Sequence, residues 1–168
     1  GHLEEMSKAK DPIEMGESLE TWLGDPKTVS MATQRMNEMC KKDPKANRAK
    51  LMSVNAIEKV VRAMDANSSD ILTQESCCAV LGNLTGSSEG KKRAVDAGAI
   101  ALVVRALKFL HRSSLKTLLN LTSHDEVNTE LAREAGAKED WLLSTGGDEK
   151  GDAAAAESPG KRGNLERS

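Results

Sequence analysis

The sequence predicts an all-α protein, and three observations carry that prediction. Leu, Ile, Val, Met and Ala supply an aliphatic core, while aromatic residues are only 2% of the 168 and Tyr is absent. That leaves little of the side-chain set that pleated sheets favour. Short anchors recur in one register at a period of about 40 residues, the spacing of helical repeat units. Helix-breaking pairs and glycines fall between the apolar runs, at Asp25-Pro26, Asp43-Pro44 and Gly98.

In chain order, residues 1–12 read as a flexible segment or a cloning scar, opening Gly1-His2-Leu3-Glu4-Glu5 with neither an initiator Met nor the apolar stretch of a signal peptide. A repeat domain is expected over 13–143, in four pieces. The first, 13–42, is degenerate: a helix to Leu23, a break, then a helix from Thr28 to Cys40. The second, 47–85, has the turn Asn55-Ala56-Ile57, a helix through Val60-Val61-Arg62-Ala63-Met64, and a third helix to Leu84. Ile71, Cys78, Leu81 and Leu84 are expected along one stripe of that third helix.

The third piece, 90–122, repeats these anchors as Gly98-Ala99-Ile100, Val103-Val104-Arg105-Ala106-Leu107 and Asn120-Leu121-Thr122, the last matching Asn83-Leu84-Thr85. It is compressed: 16 positions separate Ile57 from Thr73, but only 10 separate Ile100 from Leu110. Its second and third helices must therefore join tightly or fuse through Lys108–Arg112. The fourth piece, 128–143, carries Gly136-Ala137-Lys138 and ends at Trp141-Leu142-Leu143. Asn47, Gly90 and Asn128 each stand ten positions before the Ile-equivalent residue. Residues 144–168, with Gly146-Gly147, the run Ala153–Ala156 and Ser158-Pro159-Gly160, have no apolar period and are expected to be disordered.

The turn Asp96-Ala97-Gly98-Ala99-Ile100 and the helix Gln74–Leu84 resemble the armadillo repeat, and the resemblance extends over 13–143. It implies a right-handed α-solenoid, an armadillo-like superhelix of about three repeats, because each helix triplet is apolar on faces that only a neighbouring unit can bury. In the importin-alpha branch of the family, an Asn near the end of each third helix hydrogen-bonds an extended peptide. The resemblance gives that place to Asn83 and Asn120, with Glu38 in the first piece; bonding to neighbouring backbone at a helix end is the alternative use of such an Asn. The Trp that importin-alpha places four residues earlier is replaced by Gln34, Ala79 and Lys116, so basic nuclear-localisation peptides are not the expected ligand.

The net charge of −2 conceals an asymmetry. Residues 1–40 carry 4 basic and 8 acidic side chains, residues 41–116 carry 14 and 7, and residues 117–168 carry 6 and 11. The basic middle suggests an acidic partner, steered electrostatically. The candidate partner-binding residues are Asn83, Asn120, Lys116, Arg105, Arg112, Lys92 and Arg93. The sequence thus predicts a non-catalytic scaffold or adaptor whose groove binds a protein or peptide through an acidic segment. Nucleic-acid binding along the basic stretch is the alternative, disfavoured by the lack of stacking aromatics. A recognition fragment of a larger enzyme, such as a ubiquitin ligase, is another.

No metal or cofactor is expected: His2, His111 and His124 lie far apart, and no phosphate-binding loop, nucleophile elbow or carboxylate pair occurs. Nor is a small-molecule substrate. Cys77-Cys78 fall at two positions the armadillo family fills with small residues, so packing is expected of them rather than chemistry. Asn67, Asn83 and Asn120 match the N-glycosylation pattern, which helix endings explain for the last two. No run reaches the roughly 18 apolar residues of a membrane span, and three cysteines without a disulfide framework suit a reducing compartment, cytoplasmic or nuclear.

Overall fold

The computed structural model describes residues 11–109 and 111–143. The expectations for residues 1–10 and for the tail 144–168 lie outside the described residues. Within them the chain forms ten helices and no strand: α1 (Pro12–Thr21), α2 (Pro26–Lys42), α3 (Pro44–Ser53), α4 (Ala56–Ala66), α5 (Ile71–Leu84), α6 (Ser88–Asp96), α7 (Ala99–Leu107), α8 (His111–Thr122), α9 (Glu126–Glu134) and α10 (Glu139–Leu143).

Local chemistry sets most of these boundaries. Pro12, Pro26 and Pro44 each open a helix, where a missing N–H costs nothing. Asp11, Asp43, Asp70, Ser87 and Asp125 are N-caps whose side chains accept from Ile13, Ala46, Thr73, Gly90 and Asn128 N–H groups. Asp25 stands at the N-cap of α2, where its carboxylate accepts the hydroxyl of Thr28. Asn55 (φ 57°), Gly98 (φ 88°) and Gly136 (φ 99°) occupy the left-handed region at the same place in successive units, so the aligned anchors share one backbone conformation. The degenerate first piece is shorter than expected in its first helix, which stops at Thr21 rather than Leu23.

The helices pack in rows. The third helices α2, α5 and α8 lie side by side in that order, and α1, α4 and α7 form a second row against them. The row of third helices is joined by small and hydroxylic residues. Thr33 Oγ1 donates to Ser76 Oγ at 2.7 Å, and Thr117 Oγ1 donates to the Cys78 carbonyl at 2.7 Å. A Cβ on Gly82 would lie 3.1 Å from Thr117 Oγ1. Met15, Leu19, Met36, Leu51, Ile57, Met64, Leu81, Leu118 and Leu121 are fully buried in the core between the rows. Trp141 closes the C-terminal side, buried, with Lys138 Nζ 5.6 Å from its ring centre.

The positions Asn47, Gly90 and Asn128 share a structural reason. Asn47 Nδ2 donates to the Met39 carbonyl at 2.6 Å and Asn128 Nδ2 to the Leu121 carbonyl at 2.9 Å. Both carbonyls belong to the end of the preceding third helix, where intrahelical donors run out. At Gly90 the backbone itself approaches, so a Cβ there would stand 1.8 Å from the Leu84 carbonyl oxygen. Each unit is thus seated on the last turn of the one before it.

The compressed unit is joined tightly, not fused. α7 ends at Leu107, Phe109 N–H closes a turn on the Ala106 carbonyl at 3.0 Å, and α8 starts afresh at His111. Residues of α8 bond partners on α5 that lie 36 to 39 positions earlier. In that register His111 stands near Thr73, and the first turn of α5 projects beyond α8. One expectation is corrected as a result: Ile71 is 57% exposed, while Cys78, Leu81 and Leu84 are buried.

Gly90→Ala should destabilise the chain by about 3 kcal/mol or more, since the backbone must shift to admit a methyl group. Gly98→Ala, left-handed but with nothing within 4 Å of the added Cβ, should cost about 1 kcal/mol. Urea unfolding of the two variants measures both, and equal losses would contradict this assignment.

Candidate partner-binding surface

The surface starts with how the third helices end. α2 and α5 meet near their C-termini, where Asn83 Nδ2 donates to Asn37 Oδ1 at 2.8 Å. One unit on, Asn120 Nδ2 donates to the Gly82 carbonyl at 2.9 Å and to Thr85 Oγ1 at 3.3 Å. Asn37, Asn83 and Asn120 are each half-buried and follow one another across the row. Asn37, not the expected Glu38, is the neighbour of Asn83; Glu38 pairs with Arg35 in its own helix at 3.1 Å. The lateral offset explains the difference: Thr33 meets Ser76 across 43 positions, but Asn37 meets Asn83 across 46.

Each amide retains hydrogen-bonding capacity. Among the described residues Asn37 Nδ2, Asn83 Oδ1 and Asn120 Oδ1 have no partner. Lys116 is exposed beside them, its Cδ 3.8 Å from where a Gly82 Cβ would be. At the same end of α5 a depression of about 420 Å³ is lined by Lys45, Arg48, Met52, Asn83 and Glu89, the last paired with Arg93 at 3.8 Å. Lys45 and Arg48 are exposed there and form no ion pair among the described residues.

The remaining candidates are placed elsewhere. Arg93 is held inside the fold. Its Nε and Nη2 grip Glu58 at 2.7 and 2.8 Å, Nη2 reaches Asn55 Oδ1 at 2.8 Å, and Nη1 reaches the Met52 carbonyl at 2.9 Å. This two-pronged pair ties α6 to the first turn of α4, and the Glu58 carboxylate holds the guanidinium pKa above its ordinary value. Lys92 pairs with Asp96 one helical turn away at 2.7 Å. Arg105 faces the opposite end of α5, with Nη1 3.8 Å from Asp65 Oδ1. The Arg112 side chain lies outside the described residues. The structure therefore gathers Asn83, Asn120 and Lys116, adds Asn37, Lys45 and Arg48, and leaves Lys92, Arg93 and Arg105 apart.

These groups are amides, two ammonium groups and a guanidinium, suited to recognising a polar backbone and negative charge. The cysteines take no part: all three thiols are free and buried. Burial raises the Cys77 pKa, and raises that of Cys78 to about 11 despite the hydrogen bond from Ser114. Asn67, buried, donates to the Leu23 and Ala63 carbonyls at 2.7 and 2.8 Å. Among the described residues no group of His, Cys, Asp and Glu could hold a metal ion, and no helix is long and apolar enough to cross a membrane. Comparison of the chain with family models, curated proteins and solved structures yields no match.

The thiols make stability depend on alkaline pH. A buried thiol with a raised pKa stabilises the fold fully below the unfolded value of 9.0, and that contribution is lost as pH climbs through about 11. Cys78 should account for about 2 kcal/mol of loss across this window. The wild type should therefore lose more urea resistance from pH 9 to 11 than Cys77→Ala/Cys78→Ala does. Parallel losses would contradict the assignment.

Proposed function

We propose that this chain is an armadillo-type solenoid acting as a non-catalytic scaffold or adaptor, and that the asparagine row binds an extended, acidic segment of a protein partner. The observation that carries this reading is the sequence Asn37, Asn83, Asn120 across three adjacent third helices, with Lys116 beside it. An extended peptide presents alternating N–H and C=O groups, and the row offers both a spare donor and spare acceptors to meet them. Lys116, Lys45 and Arg48 add the positive charge that favours Asp or Glu in the bound segment.

The solenoid reading is supported by the two rows of helices, by the left-handed residue recurring at Asn55, Gly98 and Gly136, and by the seating of each unit on the previous helix end. Three free, buried thiols suit a reducing compartment, cytoplasmic or nuclear.

Exposed Lys45 and Arg48 also favour a second reading, binding of nucleic acid through phosphate contacts. Salt separates the two, because counterion release makes phosphate binding fall steeply as salt rises.

Binding of short peptides of graded charge, measured by fluorescence anisotropy, tests the proposal. Asp/Glu-rich peptides should bind the wild type, and Arg48→Glu/Lys116→Glu should weaken them about tenfold or more, mainly through repulsion. Affinity unchanged in the double variant at low salt would sink the acidic-segment reading. Binding confined to oligonucleotides, with a steep salt slope, would replace it with the second.

A further inference from the structure

The shortened third unit leaves a notch at the N-terminal end of α5, of about 410 Å³, between Ile71, Gln74, Arg105 and Phe109. Its rim is apolar and unpartnered: Ile71 is 57% exposed and Phe109, in the turn after α7, is 73% exposed. Its interior holds polar atoms that nothing satisfies among the described residues. Gln74 is only 5% exposed, and its amide nitrogen donates to the Met64 and Asn67 carbonyls at 2.7 and 2.9 Å. Two carbonyl partners fix the orientation of that amide, so Oε1 must face away from them, and among the described residues it has no hydrogen-bond partner. Arg105 is in the same position: Nη1 lies toward Asp65, while Nε and Nη2 are shielded from solvent and unpartnered among the described residues. Native folds retain few such groups, because an unmade buried hydrogen bond is costly.

Nε and Nη2 form one edge of the guanidinium, the edge that takes both oxygens of a carboxylate in two parallel bonds. We propose that the notch docks a peptide segment in which a carboxylate stands next to a large apolar side chain. The carboxylate takes the free edge of Arg105, a backbone N–H of the same segment reaches Gln74 Oε1, and the apolar side chain covers Ile71 and Phe109. A phosphate would fit the arginine edge but supplies neither the N–H nor the apolar cover. Asp65, 68% exposed at Nη1, steadies the guanidinium and repels a second carboxylate, so the site accepts one acid. The polar atoms are closed to solvent in the unbound chain, so docking requires side chains at the notch to move aside. This goes beyond the asparagine row: Gln74 and Asn83 are separated by about 13 Å along α5.

Phe109 is the chain's single Phe, so fluorophenylalanine labelling gives one ¹⁹F resonance located at the notch. The full chain is titrated with a blocked Ala-Leu-Glu-Ala peptide and with its Ala-Leu-Gln-Ala counterpart. The glutamate peptide should shift the resonance saturably in the millimolar range, and the glutamine peptide should bind about tenfold more weakly. Arg105→Lys, whose ammonium keeps the charge but lacks the two-bond edge, should weaken the glutamate peptide to a similar degree while leaving the circular dichroism melt unchanged. Absence of a shift, or equal shifts with both peptides, overturns the proposal. So does a resonance that moves with chain concentration alone, which puts a second copy in the notch. A move on deleting residues 144–168 puts the chain's own tail there, and saturation by oligothymidine but not by peptide assigns the notch to phosphate. A null result at this probe leaves the asparagine row unaffected, because the label sits at the other end of α5.

Discussion

The close approach of α2, α5 and α8 is the constraint on which the rest of the structure depends. Helices can lie this near only where the facing side chains are small, and α5 supplies Ser76, Cys78 and Gly82 to the two seams. Small residues bury little apolar area, so the seams are completed by hydroxyls that find partners, Thr33 on Ser76 and Thr117 on the Cys78 carbonyl. The larger aliphatic side chains, Met36, Ile57, Met64, Leu81 and Leu118 among them, then fill the space between the rows, where the hydrophobic gain is made. The same narrow spacing sets the asparagines side by side. Without it Asn83 could not reach Asn37, and the surface proposed for a partner would not be continuous.

Seating and clamping then fix the order of the units. The first helix of each unit rests on the last turn of the preceding third helix, and Arg93 locks the middle junction through Glu58, Asn55 and the Met52 carbonyl. Shortening the third unit disturbs this scheme at one end only. The C-terminal halves of α5 and α8 remain matched, whereas the first turn of α5 packs on α2 and α4 but leaves Ile71 exposed. One length difference thus separates a continuous polar row from a notch with apolar edges and unsatisfied polar atoms.

The elements were legible in the sequence because their determinants are local. Asp-Pro pairs, cap residues and the recurring Asn or Gly before Ala-Ile mark helix ends through backbone chemistry alone. The periodic placing of Asn47, Gly90 and Asn128 was visible as well, although the carbonyls they meet were not. What escaped depends on how helices slide against one another. Glu38 sits at the sequence equivalent of Asn83, yet the lateral offset brings Asn37 there instead. Arg93 reads as a free cation until its Glu58 partner, 35 positions away, is seen. Gln74 and Arg105 carry no spacing that joins them; only the foreshortened α7–α8 connection brings them to one cavity. Charge counting therefore found the basic stretch but could not sort its cations into those held by the fold and those left to a partner.

If units are stacked on nearest neighbours as proposed, stability should be graded along the array, because an inner helix is supported from both sides and an outer one from one side. Native-state hydrogen exchange, resolved by residue, tests this most directly. The account predicts that α5 amides exchange slowest, that α2 and α8 follow, and that α9 and α10 open at much lower free energy. Uniform protection across all helices, or α5 exchanging before its neighbours, would contradict the stacked-unit account and the partner surface built on it.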